Sequence, residues 1–139
     1  MIIMLKLRII NKKNYLPIIR KVLKNPKIII LKDNNGKPYI KDSNICISIS
    51  HSGKLTAIAI SDQNIGIDME LIRPYDHKLL NHLSINSKLN DTNFFKEWTK
   101  REAFIKKYNL KLKDINQISI NNEKFKCLKL KKYYISICK

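Results

Sequence analysis

The sequence predicts a single mixed domain in which helices and strands come in separate runs, and three observations carry that expectation. At 139 residues the chain has the size of one domain with a core of its own. Its hydrophobic content of 44% supplies the apolar surface that disordered chains lack. The candidate elements run strand, helix, strands, then helix, strands, an order compatible with two structurally similar halves.

The opening MIIMLKLRII reads as a first strand over residues 1–10. Lys6 and Arg8 interrupt its apolar run in strand alternation, and no small-residue cleavage site follows, so the expected location is cytoplasmic. NYLPIIRKVLK, residues 14–24, reads as a helix with Asn14 as N-cap and Pro17 in the first turn, where a missing N–H costs little. Strands are expected over 28–32, 45–50, 55–61 and 64–70, with KDNNGKPYIKD as a turn-rich connection between the first two. Arg73-Pro74 ends the strand at 64–70. A short helix over 76–83 and the polar SINSKLND lead to a long helix over 92–108, capped by Asp91. Strands are expected again over 117–121, 124–130 and 132–138.

The formal charge of +17 permits a polyanionic partner without requiring one. The lysines are spread along the chain and accompany an excess of Ile and Asn, which points to compositional bias as their source. Nucleic acid is not expected as a partner, because the aromatic residues fall on one helix stripe instead of interleaving with exposed cations. No stretch approaches the ~18 apolar residues of a membrane span, so no membrane association is expected. Cys46, Cys127 and Cys138 form no CxxC pair, which argues against a disulfide frame and a zinc knuckle alike.

Two stretches carry the chemistry. In IGIDME, residues 65–70, Asp68 and Glu70 stand two apart on a strand and so share one face, an arrangement that calls for a cation. In the long helix, Phe94, Trp98, Ile105 and Tyr108 form an apolar stripe with Phe104 at its edge, while Lys96, Lys100 and Lys107 lie opposite. Arg101 falls inside that stripe, and Glu102 and Lys106 run down its other margin, where an ordinary surface ion pair would also explain them. Asp68, Glu70 and Glu102 together offer three hard oxygen ligands of the kind that suit Mg²⁺ rather than zinc. Lys106, one turn beyond Glu102, is placed to neutralise a phosphate, and the chain lacks a GxxxxGK[ST] loop. In SISHSG, residues 48–53, Ser50 and His51 at a strand end, with Lys37 in the preceding loop, could receive a phosphate; a Ser–His nucleophile pair is the weaker alternative, because neighbours on a strand point to opposite faces.

The stretches GKP (36–38), SISHSG (48–53), GIDME (66–70) and FFKEWTKREAFIKK (94–107) occur in the order found in the 4′-phosphopantetheinyl transferase superfamily, and the chain resembles its surfactin-synthetase-activating type. The resemblance implies an enzyme, a holo-[acyl-carrier-protein] synthase. Such an enzyme moves the phosphopantetheine arm of coenzyme A onto a serine of an apo acyl or peptidyl carrier protein and releases adenosine 3′,5′-bisphosphate. It implies Mg²⁺ on Asp68, Glu70 and Glu102, with Glu102 also as the base for the carrier serine and Lys106 at the phosphate and leaving group. Lys37, Ser50 and His51 match residues that contact coenzyme A phosphates. Arg101 stands where the family has a lysine, which keeps the charge and changes the geometry. The implied fold is α+β, with two pseudo-symmetric halves near 1–63 and 64–139, each an antiparallel sheet packed on a helix, in a monomer; the charge of +17 adds the expectation of an acidic carrier. The chain is shorter than typical members, mostly before GKP and between Leu71 and Asn93. The rival expectation is a non-catalytic truncated relative that binds a carrier protein or another polyanion.

Overall fold

In the computed structural model, which describes residues 4–139, the strands form two three-stranded antiparallel sheets and one two-stranded hairpin. The first sheet contains β1 (Lys6–Ile10), β4 (Cys46–Ser52) and β5 (Leu55–Ser61) in the order β1-β5-β4. The second contains β6 (Gly66–Leu71), β7 (Phe125–Leu130) and β8 (Tyr133–Cys138) in the order β6-β8-β7. In both, the last strand in sequence lies between the other two. The hairpin pairs β2 (Ile30–Lys32) with β3 (Pro38–Ile40). Helix α1 spans Leu16–Val22 and α2 spans Asp91–Tyr108, with 3₁₀ turns at His77–Leu83 and Leu112–Gln117.

Strand alternation gives each sheet two distinct faces. On the first sheet, Ile47, Ile58 and Ile60 pack with Ile19 of α1, while Ala57 and Ala59 turn the other way and meet Ile67, Met69, Ile135 and Ile137 of the second sheet. The outer face of the second sheet is covered by α2, where Thr99 Oγ1 lies 2.7 Å from Ser136 Oγ. The layers therefore run α1, first sheet, second sheet, α2. The expected α+β class, with antiparallel sheets packed on helices, is borne out.

Local details differ from the sequence expectation for physical reasons. Of the strand expected over 1–10, residues 1–3 lie outside the described residues and pairing begins at Lys6. β3 was hidden by Pro38; the tight loop before it, with Gly36 at φ +80°, folds the chain back onto β2. No strand forms over 117–121; Ile115 and Ile118, three apart, instead face a cluster with Leu83, Phe94 and Phe95. The cap of α2 is Asn90, whose side chain accepts from Asn93 N–H, so Asp91 becomes the first helical residue. The Asn14 side chain accepts from Leu16 N–H at 3.2 Å, one residue before the cap position at Tyr15.

The buried face of α2 also differs. It carries Phe94, Phe95, Thr99, Ala103 and Ile105, while Tyr108 is 43% exposed. Glu102 and Lys106 thus project from the middle of the covered face, not from its margin. Lys100 lies over the Phe125 ring and Lys107 reaches Glu123, so neither is fully solvated. The cause is backbone proximity: a Cβ on Gly66 would sit 1.9 Å from the Ala103 carbonyl oxygen. Small residues must face β6 here, which outweighs the pull of the larger apolar side chains.

This close approach predicts an inversion of the usual glycine rule. Gly36 has positive φ but open space around it, so Gly36→Ala should cost about 1–2 kcal/mol from backbone conformation. Gly66→Ala, at ordinary φ, should cost more, because overpacking against backbone cannot relax by a rotamer change. Urea midpoints of the two variants check the order; a Gly66→Ala protein as stable as Gly36→Ala would contradict the packing described.

Candidate active site

β6 is the edge strand of its sheet, and β4 lies beside it without pairing to it backbone to backbone. Its outward N–H groups must still be satisfied where they are buried. Three serines of β4 do this: the N–H groups of Ile67, Met69 and Leu71 donate to the hydroxyls of Ser48, Ser50 and Ser52, each at 3.0 Å. This row of hydroxyls joins the two sheets along one seam. It holds the alternate residues of β6, Asp68 and Glu70, toward α2.

Asp68, Glu70 and Glu102 converge there, with one carboxylate oxygen from each inside a 4.8 Å cluster. The Asp68 side chain is 4% exposed. Its Oδ1 accepts from Lys106 Nζ and from Ser50 Oγ, both at 3.2 Å, whereas its buried Oδ2 has no partner among the described residues. Lys106 Nζ also donates to the Ile49 carbonyl at 3.3 Å. Glu70 lies nearer the surface and pairs with Arg73 Nη1 at 3.3 Å. Burial raises the Asp68 carboxyl well above the ordinary carboxylate range; Lys106 pulls it down, and Glu102 and Glu70 push it up. Burial likewise raises Glu102, opposed by Lys106 and reinforced by Glu70. A crowded carboxylate group with an unpartnered buried oxygen, and with no Cys or His in the set, fits a hard divalent cation such as Mg²⁺.

Two clefts open onto the same turn of α2. Glu70, Arg73, Tyr75, Trp98 and Glu102 line one, and Gly36, Lys37, Ser48, Ile49 and Lys106 line the other. Tyr75 forms the wall of the first by stacking on Phe94, ring centroids 3.9 Å apart, with its hydroxyl donating to the Leu89 carbonyl.

The remaining sequence candidates occupy different places. Lys37 shares the second cleft with Lys106, but its Nζ donates to the Lys106 carbonyl at 2.7 Å and lies 3.4 Å from that of Lys107. It thus satisfies carbonyls that the end of α2 leaves free, and burial lowers its pKa. Asn64 supports it by donating to the Lys107 carbonyl at 2.7 Å. His51 is exposed and shares a separate cleft with Lys13 and Lys54; its Nδ1 is 2.7 Å from Thr56 Oγ1. Burial, then Lys106, Lys13 and Lys32, lower its pKa. Ser50 is 3% exposed with its hydroxyl engaged between Asp68 and β6, so it does not face a cleft as the sequence reading expected. Arg101 is drawn back along α2, its Nη1 2.6 Å from Glu97 Oε2, and does not join the carboxylates.

Sequence reasoning missed Ser48, Ser52 and Asn64. The alternating hydroxyls of SISHS were a readable signal for the serines, since strand periodicity puts all three on one face. Nothing local marked Asn64.

No family model matches the chain. It is 34% identical over 92 residues to the 4′-phosphopantetheinyl transferase gsp of Aneurinibacillus migulanus, a match covering 59% of this chain and 38% of that protein. It is 32% identical over 91 residues to the 4′-phosphopantetheinyl transferase psf-1 of Bacillus pumilus, covering 58% of this chain and 39% of the relative. The chain therefore spans less than two fifths of the length of these relatives in each match. Both bear the name of the superfamily that the motifs resemble, and that resemblance is borne out.

The raised carboxyl of Asp68 predicts how stability depends on pH without divalent cations. A folded-state pKa above the unfolded value of about 3.9 means that ionisation costs the folded state more than the unfolded one. The contribution of Asp68 to wild-type stability should then fall as pH rises from that unfolded value through the folded one. Asp68→Asn does not titrate, and Lys106, 31% exposed, can turn to water. The stability of the variant relative to wild type should grow across that window and then level off. Denaturant midpoints in EDTA across the pH range check it; a relative stability that shrinks with rising pH would contradict the buried-charge account.

Proposed function

We propose that this chain transfers the 4′-phosphopantetheine arm of coenzyme A to a serine of an apo carrier protein. The convergence of Asp68, Glu70 and Glu102 at a turn that also presents Lys106 carries this reading, and the names of the two relatives support it. Asp68 through Oδ2, Glu70 and Glu102 would hold Mg²⁺, which when bound supplies positive charge to the pyrophosphate of coenzyme A.

The chain's own residues supply the rest. Glu102 is the proposed base that takes the proton of the carrier serine. The serine oxygen bonds to the pantetheine-side phosphorus, the bridging P–O bond breaks, and adenosine 3′,5′-bisphosphate leaves with the electron pair. Lys106, whose Nζ donates to Asp68 and the Ile49 carbonyl, is the proposed partner for the phosphate charge. Lys37, beside it in one cleft, and His51 among Lys13 and Lys54 are the proposed contacts for coenzyme A phosphates. Arg101 is left out of this set because Glu97 holds it. A monomer carrying +17 would be steered to an acidic carrier domain in the cytoplasm. The alternative, a non-catalytic relative that binds the carrier, draws on the partial span of the match.

Intact mass of candidate apo carriers incubated with protein, Mg²⁺ and coenzyme A separates the two: the transferase reading expects a phosphopantetheine increment, and binding without any increment supports the alternative. Glu102→Gln removes the base and one of the crowded charges. Its turnover should fall roughly 10²-fold or more, while the metal-free fold stays at least as stable. Undiminished turnover would remove Glu102 from the chemistry.

A further inference from the structure

Ser50 stands apart from the other two seam serines. Like Ser48 and Ser52, it accepts an N–H of β6, here from Met69 at 3.0 Å. Unlike them, it also contacts a carboxylate, with Oγ 3.2 Å from Asp68 Oδ1 and a longer 3.4 Å approach to the Met69 carbonyl. A hydroxyl has one proton to give, and a carboxylate acceptor makes the stronger bond. Lys106 donates to the same Oδ1. Two donors therefore converge on one oxygen of Asp68, and the other is left buried with no partner.

We propose that Ser50 is a positioning residue that fixes the rotation of the Asp68 carboxylate, so that Oδ1 is bound to the protein and Oδ2 is presented to the divalent cation. This rests on the metal reading above and gives Ser50 a role distinct from contact with coenzyme A. Partners of a metal-ligating carboxylate commonly set affinity, because the ligand otherwise spends part of its time turned away. The seam thus does two jobs at one hydroxyl, closing the edge of β6 and aiming the ligand that this strand carries.

The seam provides its own control. Ser52→Ala removes the same kind of strand cap, from Leu71 N–H, and no seam contact with a carboxylate. Mn²⁺ titrated into the metal-free protein and followed by electron paramagnetic resonance reads affinity without any turnover. Ser50→Ala should weaken Mn²⁺ binding by about 10–100-fold, and Ser52→Ala should leave it unchanged, although both lose a cap. Should Ser50→Ala fail to fold, Ser50→Cys keeps the volume with a weaker donor and should also bind Mn²⁺ less tightly than Ser52→Ala. Wild-type binding that Ser50→Ala or Ser50→Cys does not alter would overturn the positioning role alone. No saturable Mn²⁺ binding by the wild type would overturn the metal reading, and this inference with it.

Discussion

The outer edge of β6 is the constraint on which the structure turns. A strand at the edge of its own sheet, yet inside the molecule, has N–H groups that neither water nor a neighbouring strand can satisfy. Hydroxyls from β4 meet that need at Ile67, Met69 and Leu71. Because a serine hydroxyl lies only two bonds from its backbone, the solution holds β4 and β6 close together. It also dictates the small Ala57 and Ala59 on the facing surface, where the sheets close over Ile67 and Met69. Once β6 is held this way, its other residues can only point toward α2, and the carboxylates face the helix that carries Glu102 and Lys106.

The same geometry explains why acidic groups crowd together in a protein of charge +17. Lysines are spread along the chain, yet among the described residues only Lys106 reaches the buried Asp68, from a helix pressed onto β6 at Gly66 and Ala103. Arg73 compensates Glu70 from the surface, where a pair contributes little. Among the described residues, no further cation pairs with these carboxylates. A divalent cation would remove their repulsion, and the unpartnered oxygen of Asp68 marks where such a cation would bind. The far end of α2 is held by Lys37 and Asn64, which donate to its Lys106 and Lys107 carbonyls.

Much of this was legible in the sequence, for reasons that differ by residue. Period-2 spacing put Asp68 and Glu70 on one face, and the i,i+4 relation put Glu102 and Lys106 together. Strands rich in Ile, bounded by turn residues, located β4 to β6 closely. The buried face of α2 was misread because hydrophobic periodicity weights large side chains, whereas contact with Gly66 demanded Thr99 and Ala103. Lys37 and Arg101 were recognisable as cations, but their partners, a helix end and Glu97, depend on pairings that spacing alone does not reveal. Ser50 was singled out for its position at a strand end; its engagement inside the seam required knowing that β4 and β6 lie side by side.

The central claim is that one divalent cation sits among Asp68, Glu70 and Glu102. A crystal grown with Mn²⁺ and measured near its absorption edge tests it most directly. The account predicts an anomalous peak within coordination distance of Asp68 Oδ2 and of an oxygen from each glutamate, with Lys106 and Ser50 still on Oδ1. A crystal that shows Mn²⁺ only elsewhere, or this carboxylate cluster without a peak at saturating Mn²⁺, would contradict it.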